Sequence, residues 1–102
     1  MIQILNDNNF NNEVARGVSI VDFFTSWCNP CKVLEPVFEE LSKEMKGVNF
    51  FKVDLVQSLD TVRQCKVATV PTMIILKDGQ IVDKMIGSLP KEYIKAKIQA
   101  QL

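Results

Sequence analysis

Apolar and polar residues along this chain fall into short blocks, each with its own period. Residues 2–5, Ile-Gln-Ile-Leu, read as a short strand. Asn6, Asp7, Asn8 and Asn9 follow, residue types that cap helices, and they predict a first helix running to about Arg16, with Gly17 ending it. Val18–Phe24 is apolar on both faces, which predicts a central strand covered from both sides. A single acid, Asp22, interrupts it. Residues 28–46 hold the longest helical pattern. There Val33, Leu34, Val37, Phe38, Leu41 and Met45 share one stripe and are expected in the core. Pro36 lies inside that helix, where a missing hydrogen bond and a steric clash predict a kink.

Gly47 closes the long helix, and Val48–Asp54 is a second apolar strand. Residues 58–66 read as a short helix with Ser58 or Asp60 near its start and Leu59 and Val62 facing inward. A loop over 67–71 leads to a strand over 72–76. Asp78-Gly79 is a strong hairpin turn, and 81–86 pairs back. Pro90 opens a last helix, with Ile94, Ile98 and Leu102 on one face. The order β-α-β-α-β-α-β-β-α predicts parallel strands with helices on both faces and an antiparallel closing hairpin. That is a three-layer α/β/α domain around a mixed sheet. There is no linker and no repeat, so residues 1–102 are expected to form one domain.

Composition narrows the class. The chain is 47 % hydrophobic with only four Gly and four Pro, which excludes a disordered or fibrous protein. Its length suffices for a core without disulfide staples, since such a chain buries roughly 60–70 % of its unfolded surface. Twelve basic residues balance twelve acidic ones, so nothing argues for a nucleic-acid or membrane-surface partner. The first residues lack the cationic start and apolar stretch of a signal peptide, and no run approaches a membrane span. The odd count of three cysteines suits a reducing compartment, so the expected location is the cytoplasm.

The chemistry concentrates where the central strand gives way to the long helix. Cys28 and Cys31 are separated by Asn29 and Pro30. Thiols at this spacing can close into one small disulfide ring. A cysteine at a helix start has its thiolate favoured by the free N–H groups and the dipole there. A thiolate attacks disulfides, and a second thiol three residues on can complete the exchange. A structural disulfide or two buried thiols is the plainer alternative. Zinc would need about four ligands, and the chain has no histidine and only Cys65 besides the pair. Burial of Asp22 in an apolar strand should raise its pKa and fit it for proton transfer. Cys65 reads most simply as a small buried residue, with a regulatory or dimer-forming thiol as the alternative.

Trp27-Cys28-Asn29-Pro30-Cys31-Lys32 resembles the active-site motif of the thioredoxin family. Asp22 six residues before the first cysteine, Pro36 five after the second, Val70-Pro71-Thr72 and Gly87 extend the resemblance over the whole chain. It implies the thioredoxin fold and a protein-disulfide reductase. Cys28 would be the exposed nucleophile, Cys31 the buried resolving thiol and Asp22 its base. The resemblance also implies a cis bond at Pro71, beside which the Val70 backbone pairs with an extended substrate segment. Gly87 would let that segment approach, and Trp27 would offer a flat contact.

No bound cofactor is implied. Electrons would come from NADPH or ferredoxin through a thioredoxin reductase. They would pass to oxidised proteins such as ribonucleotide reductase, peroxiredoxins and methionine sulfoxide reductases, with the protein acting as a monomer. Two departures stand out. Asn29 replaces the family's usual Gly, which should alter the balance of dithiol and disulfide. A count back from Asp54 puts Phe50 at the place of the lysine that usually pairs with the acid, with Lys52 two residues further on the same face. On that count Asp22 lacks its cation. The rival readings are a more oxidising disulfide isomerase and an accessory subunit that binds partners through Trp27, Val70 and Ile86 without redox turnover.

Overall fold

The structure is a computed structural model and describes residues 2–102. Its elements follow the expected order: β1 (Gln3–Leu5), α1 (Phe10–Glu13), β2 (Val18–Phe24), α2 (Asn29–Glu44), β3 (Val48–Asp54), α3 (Leu59–Gln64), β4 (Thr72–Lys77), β5 (Gln80–Ile86) and α4 (Lys91–Gln99). The sheet has five strands in the order β1-β3-β2-β4-β5. β3 runs parallel to both β1 and β2, whereas β4 is antiparallel to β2 and to β5. This is the α/β thioredoxin fold with its mixed sheet.

Alternation along β2 divides the core in two. Val18 and Ile20 join Leu34, Phe38 and Leu41 of α2 and Ile94 and Ile98 of α4 on one face. Val21 and Phe23 join Phe10, Val14, Phe51 and Val67 on the other. Phe38 and Phe50 meet edge to face at 5.1 Å, which adds quadrupole attraction to their burial. The period of two puts Asp22 in the row of Val18 and Ile20, on the α2 side of the sheet.

Several expectations are corrected. α1 ends at Glu13 rather than near Arg16. The Asn residues cap the turn before it instead: Asn6 Oδ1 accepts from the Asn8 and Asn9 N–H groups at 2.8 and 3.1 Å, and Asn9 Oδ1 accepts from Asn6 N–H at 2.8 Å. Beyond the helix the chain is claimed by the hairpin tip, where Gly17 N–H donates to Asp78 Oδ1 and Gly17 C=O accepts from Asp78 N–H. Val33 is 65 % exposed and lies off the stripe. The buried row is Leu34, Phe38, Leu41 and Met45, and a residue next to Leu34 is turned about 100° from it. Leu59 and Leu102 are likewise exposed, because Thr61 is the buried residue of α3 and α4 stops at Gln99.

Ser58 stands at the N-cap of α3 and Asp60 in its first turn, as expected, but the Ser58 side chain makes no capping hydrogen bond. Asp7, far away in sequence, caps instead: its carboxylate accepts from the N–H groups of Asp60 and Thr61 and from the Thr61 hydroxyl, the last at 2.7 Å. These bonds, the Thr61 hydroxyl foremost, hold the Asp7 carboxyl below its ordinary pKa. The hairpin follows its sequence signal. Asp78 and Gly79 both have positive φ, 49° and 84°, between the paired residues Lys77 and Gln80.

Candidate active site

Cys28 and Cys31 are joined by a disulfide, with their Cα atoms 5.2 Å apart. The ring sits where β2 hands over to α2, so a strand paired on both sides fixes one end of it. Cys28 is the N-cap of α2, with Asn29 and Pro30 as the exposed first helical residues. Its sulfur accepts a hydrogen bond from the Cys31 N–H at 3.1 Å. A proline near the start of the helix gives up no hydrogen bond, since the first N–H groups are unpaired anyway. Cys28 had been expected to be exposed, but it is 8 % accessible against 5 % for Cys31.

Beneath the ring lies a cavity of about 100 Å³ lined by Asp22, Phe24, Thr25, Ser26, Cys31, Lys32, Glu35 and Lys52. Asp22 is 1 % exposed, and its Oδ1 has no hydrogen-bond partner among the described residues. Burial pushes its carboxyl up to about 7, with the Lys52 charge opposing and the Glu35 charge adding. The count from Asp54 that left Asp22 without a cation is overturned by the strand register, which pairs Asp22 with Lys52 directly. Phe50 turns into the core against Phe38 instead.

The cis-proline loop and Gly87 lie at the same end of the sheet as the ring, since Thr72 pairs with Phe23 near the end of β2. The Val70–Pro71 peptide is cis and immediately precedes β4. Thr72, next in line, donates its hydroxyl to the Thr69 carbonyl at 2.7 Å, which folds this loop on itself. Gly87 follows β5 at φ +97°, a conformation that favours glycine, and donates its N–H to the Pro71 carbonyl at 2.9 Å. Trp27 is 69 % exposed, and Ile86 is exposed too. Three residues of the cavity wall, Thr25, Ser26 and Glu35, are not singled out by the sequence. Glu35 had a usable signal, because it stands one turn after Cys31 on the same helix.

The described thioredoxin family pattern matches residues 1–100. The chain belongs to the thioredoxin family. It is 40 % identical over 97 residues to a thioredoxin of Staphylococcus saprophyticus, covering 94 % of this chain and 93 % of that one. To a thioredoxin of Chlamydia trachomatis it is 39 % identical over 92 residues, covering 90 % of each. Among solved structures, the oxidised form of mitochondrial thioredoxin 3 from Saccharomyces cerevisiae superposes with a TM-score of 0.89 at 32 % identity, over 97 % of this chain and 94 % of that chain. Thioredoxins are disulfide oxidoreductases with a redox-active disulfide and no prosthetic group, and their partners are a reductase and disulfide substrates. The Cys28–Cys31 pair gives this chain the same centre and the same thiol–disulfide reductase activity.

Cys65 lies outside that centre. It is buried at the C-cap of α3, and burial pushes its thiol up to about 11. The two larger surface depressions, about 410 and 370 Å³, lie around the start of β3, at the far end of the sheet from the disulfide. Among the described residues no group of three or more His, Cys, Asp or Glu is placed to hold a metal, and no helix is long and apolar enough to cross a membrane.

Proposed function

We propose that the reductase works by a two-thiol cycle in which each motif residue has one task. The observation that carries this reading is the disulfide ring at the start of α2 above a buried acid in a shared cavity. In the reduced protein the Cys28 sulfur at the N-cap is held as thiolate by the dipole and the Cys31 N–H. It attacks one sulfur of a substrate disulfide. The new bond is Cys28–S–S–substrate, and the other substrate sulfur leaves as a thiolate that takes a proton from water.

Cys31 then resolves the mixed disulfide. Its thiol proton passes to the Asp22 carboxylate through the cavity, which is large enough for a bridging water. The Cys31 thiolate attacks the Cys28 sulfur, the substrate's remaining sulfur departs as thiolate, and the Cys28–Cys31 disulfide closes. Two electrons have moved to the substrate, and a thioredoxin reductase fed by NADPH or ferredoxin returns them. Lys52 tunes Asp22 from across the strand pair. Trp27, Asn29, Pro30, Val70, Pro71 and Gly87 receive the substrate, with the Val70 backbone pairing to an extended segment.

Substrates on this reading are oxidised proteins of the ribonucleotide reductase, peroxiredoxin and methionine sulfoxide reductase types. The solved structures similar to this chain include one from work on thiol resolution in a yeast mitochondrial 1-Cys peroxiredoxin through glutathione and thioredoxin systems, which supports the peroxiredoxin class. The protein acts as a one-domain monomer over residues 1–102 in the cytoplasm.

Trapping tests the assignment of roles. With Cys31→Ser, covalent adducts with oxidised protein substrates should accumulate and dissolve on adding dithiothreitol. With Cys28→Ser no adduct should form. Adducts on the Cys28→Ser protein would reverse the two roles. The direction of electron flow is tested by the reduction potential, which should lie below the cytosolic glutathione poise.

A further inference from the structure

Glu35 lines the cavity without a task in the cycle above. It stands one helical turn beyond Cys31, and its Oε2 lies 3.5 Å from the Lys52 ammonium. Lys52 is the cross-strand neighbour of Asp22. Yet among the described residues its only carboxylate partner within 4.0 Å is Glu35. The ammonium sits 4.6 Å from the centre of the Phe24 ring, which also lines the cavity. The buried Asp22 Oδ1 meanwhile has no partner.

Two carboxylates therefore stand within reach of one cation, and the outer one holds it. The reason is desolvation. Drawing the ammonium fully onto Asp22 would strip water from both charges, whereas the Glu35 side chain is 60 % exposed and offers a partner at the solvent edge. The aromatic face of Phe24 adds a second hold on the same ammonium.

We infer that Glu35 is a positioning residue: it holds Lys52 at the cavity mouth, away from Asp22, and so keeps the buried carboxyl free to take the Cys31 proton. This rests on the base role given to Asp22 above. The charged and titratable groups facing Asp22 are Lys52 from β3 and Cys31, Lys32 and Glu35 from α2. β4 presents only the uncharged Met73 opposite it. With Glu35 removed, Lys52 is free to turn inward, where its charge stabilises the Asp22 carboxylate and weakens it as a base.

The test is the titration of the Asp22 carboxyl carbon by NMR in the oxidised protein, for the parent and Glu35→Gln, each with Lys52 intact and as Lys52→Met. Glu35→Gln should lower the midpoint by on the order of one pH unit with Lys52 present. Most of that shift should vanish in the Lys52→Met background. A raised parent midpoint that Glu35→Gln leaves in place would overturn the positioning role while leaving Asp22 a base. An equal shift in both backgrounds would mean Glu35 acts through its own charge, which also overturns it. A parent Asp22 that titrates in the ordinary carboxylate range would sink the base role itself, and this inference with it.

Discussion

Asp22 is the residue at which chemistry and stability meet. Its carboxyl titrates at about 7 in the fold against 3.8 in the unfolded chain. A raised folded pKa means that the neutral form is the one the fold favours. Its stabilising contribution is complete below pH 3.8 and is lost as pH rises toward 7, after which it is constant. Roughly three units at about 1.4 kcal/mol each gives about 4 kcal/mol. In urea titrations of the oxidised protein, the stability gap between Asp22→Asn and the parent should therefore widen by about that amount between pH 3.5 and pH 8. A gap that does not change with pH would mean Asp22 ionises at its ordinary pKa. The same substitution should slow release of the mixed disulfide in the Cys31-competent protein without abolishing its formation.

At this scale identities were more legible in the sequence than partners. The two cysteines, the acid and the cis-proline loop could be named from local pattern and resemblance. The neighbour of Asp22 could not. Which residue of β3 faces it depends on the register of two strands joined by a sixteen-residue helix, α2. Counting along one strand from Asp54 cannot supply that register, and Phe50 was chosen where Lys52 stands. Glu35 carries no motif of its own, and only its place a turn beyond Cys31 puts it in reach of the site.

Among the elements, those with a strong period came out nearly in full. β2, β3 and the hairpin were readable because their apolar runs and the Asp78-Gly79 turn are local signals. The end of α1 was misjudged because tertiary bonds decide it, and the side-chain cap of α3 was not legible because it comes from far along the chain. Asp7 caps α3 across 54 residues. Since its carboxyl is held below 3.8, this cap is intact above that pH and fails as pH falls through the lowered value. Asp7→Ala should accelerate amide exchange through α3 and lower the denaturation midpoint at pH 7, and the difference from the parent should shrink in acid. The hairpin offers a cleaner test of backbone strain. Gly79 holds φ +84°, and a Cβ there would meet only Ala15 at ordinary contact distance. Gly79→Ala should thus cost about 1–2 kcal/mol from the left-handed conformation alone, without a packing defect.

For the whole molecule, the three cysteines divide by depth and by neighbourhood. Cys65 is sealed in the core cluster of the α1 and α3 side. With its thiol pushed up to about 11, it carries very little thiolate at neutral pH. In the reduced native protein it should escape alkylation by iodoacetamide and become labelled only in denaturant, as read by intact mass. Labelling at the native rate of an exposed thiol would restore the regulatory reading for it.

The disulfide, the Val70–Pro71 loop and Gly87 all lie at one end of the sheet, around the ends of β2 and β5 and the start of β4. A thioredoxin has two kinds of caller, a reductase that delivers electrons and a substrate that collects them. Both must react with the one Cys28–Cys31 pair, so on the two-thiol cycle they cannot be received together. Traffic through the molecule must alternate, so an excess of either caller will hold up the other, and double-reciprocal plots of electron transfer should run parallel at low concentrations and bend upward when one partner crowds the door.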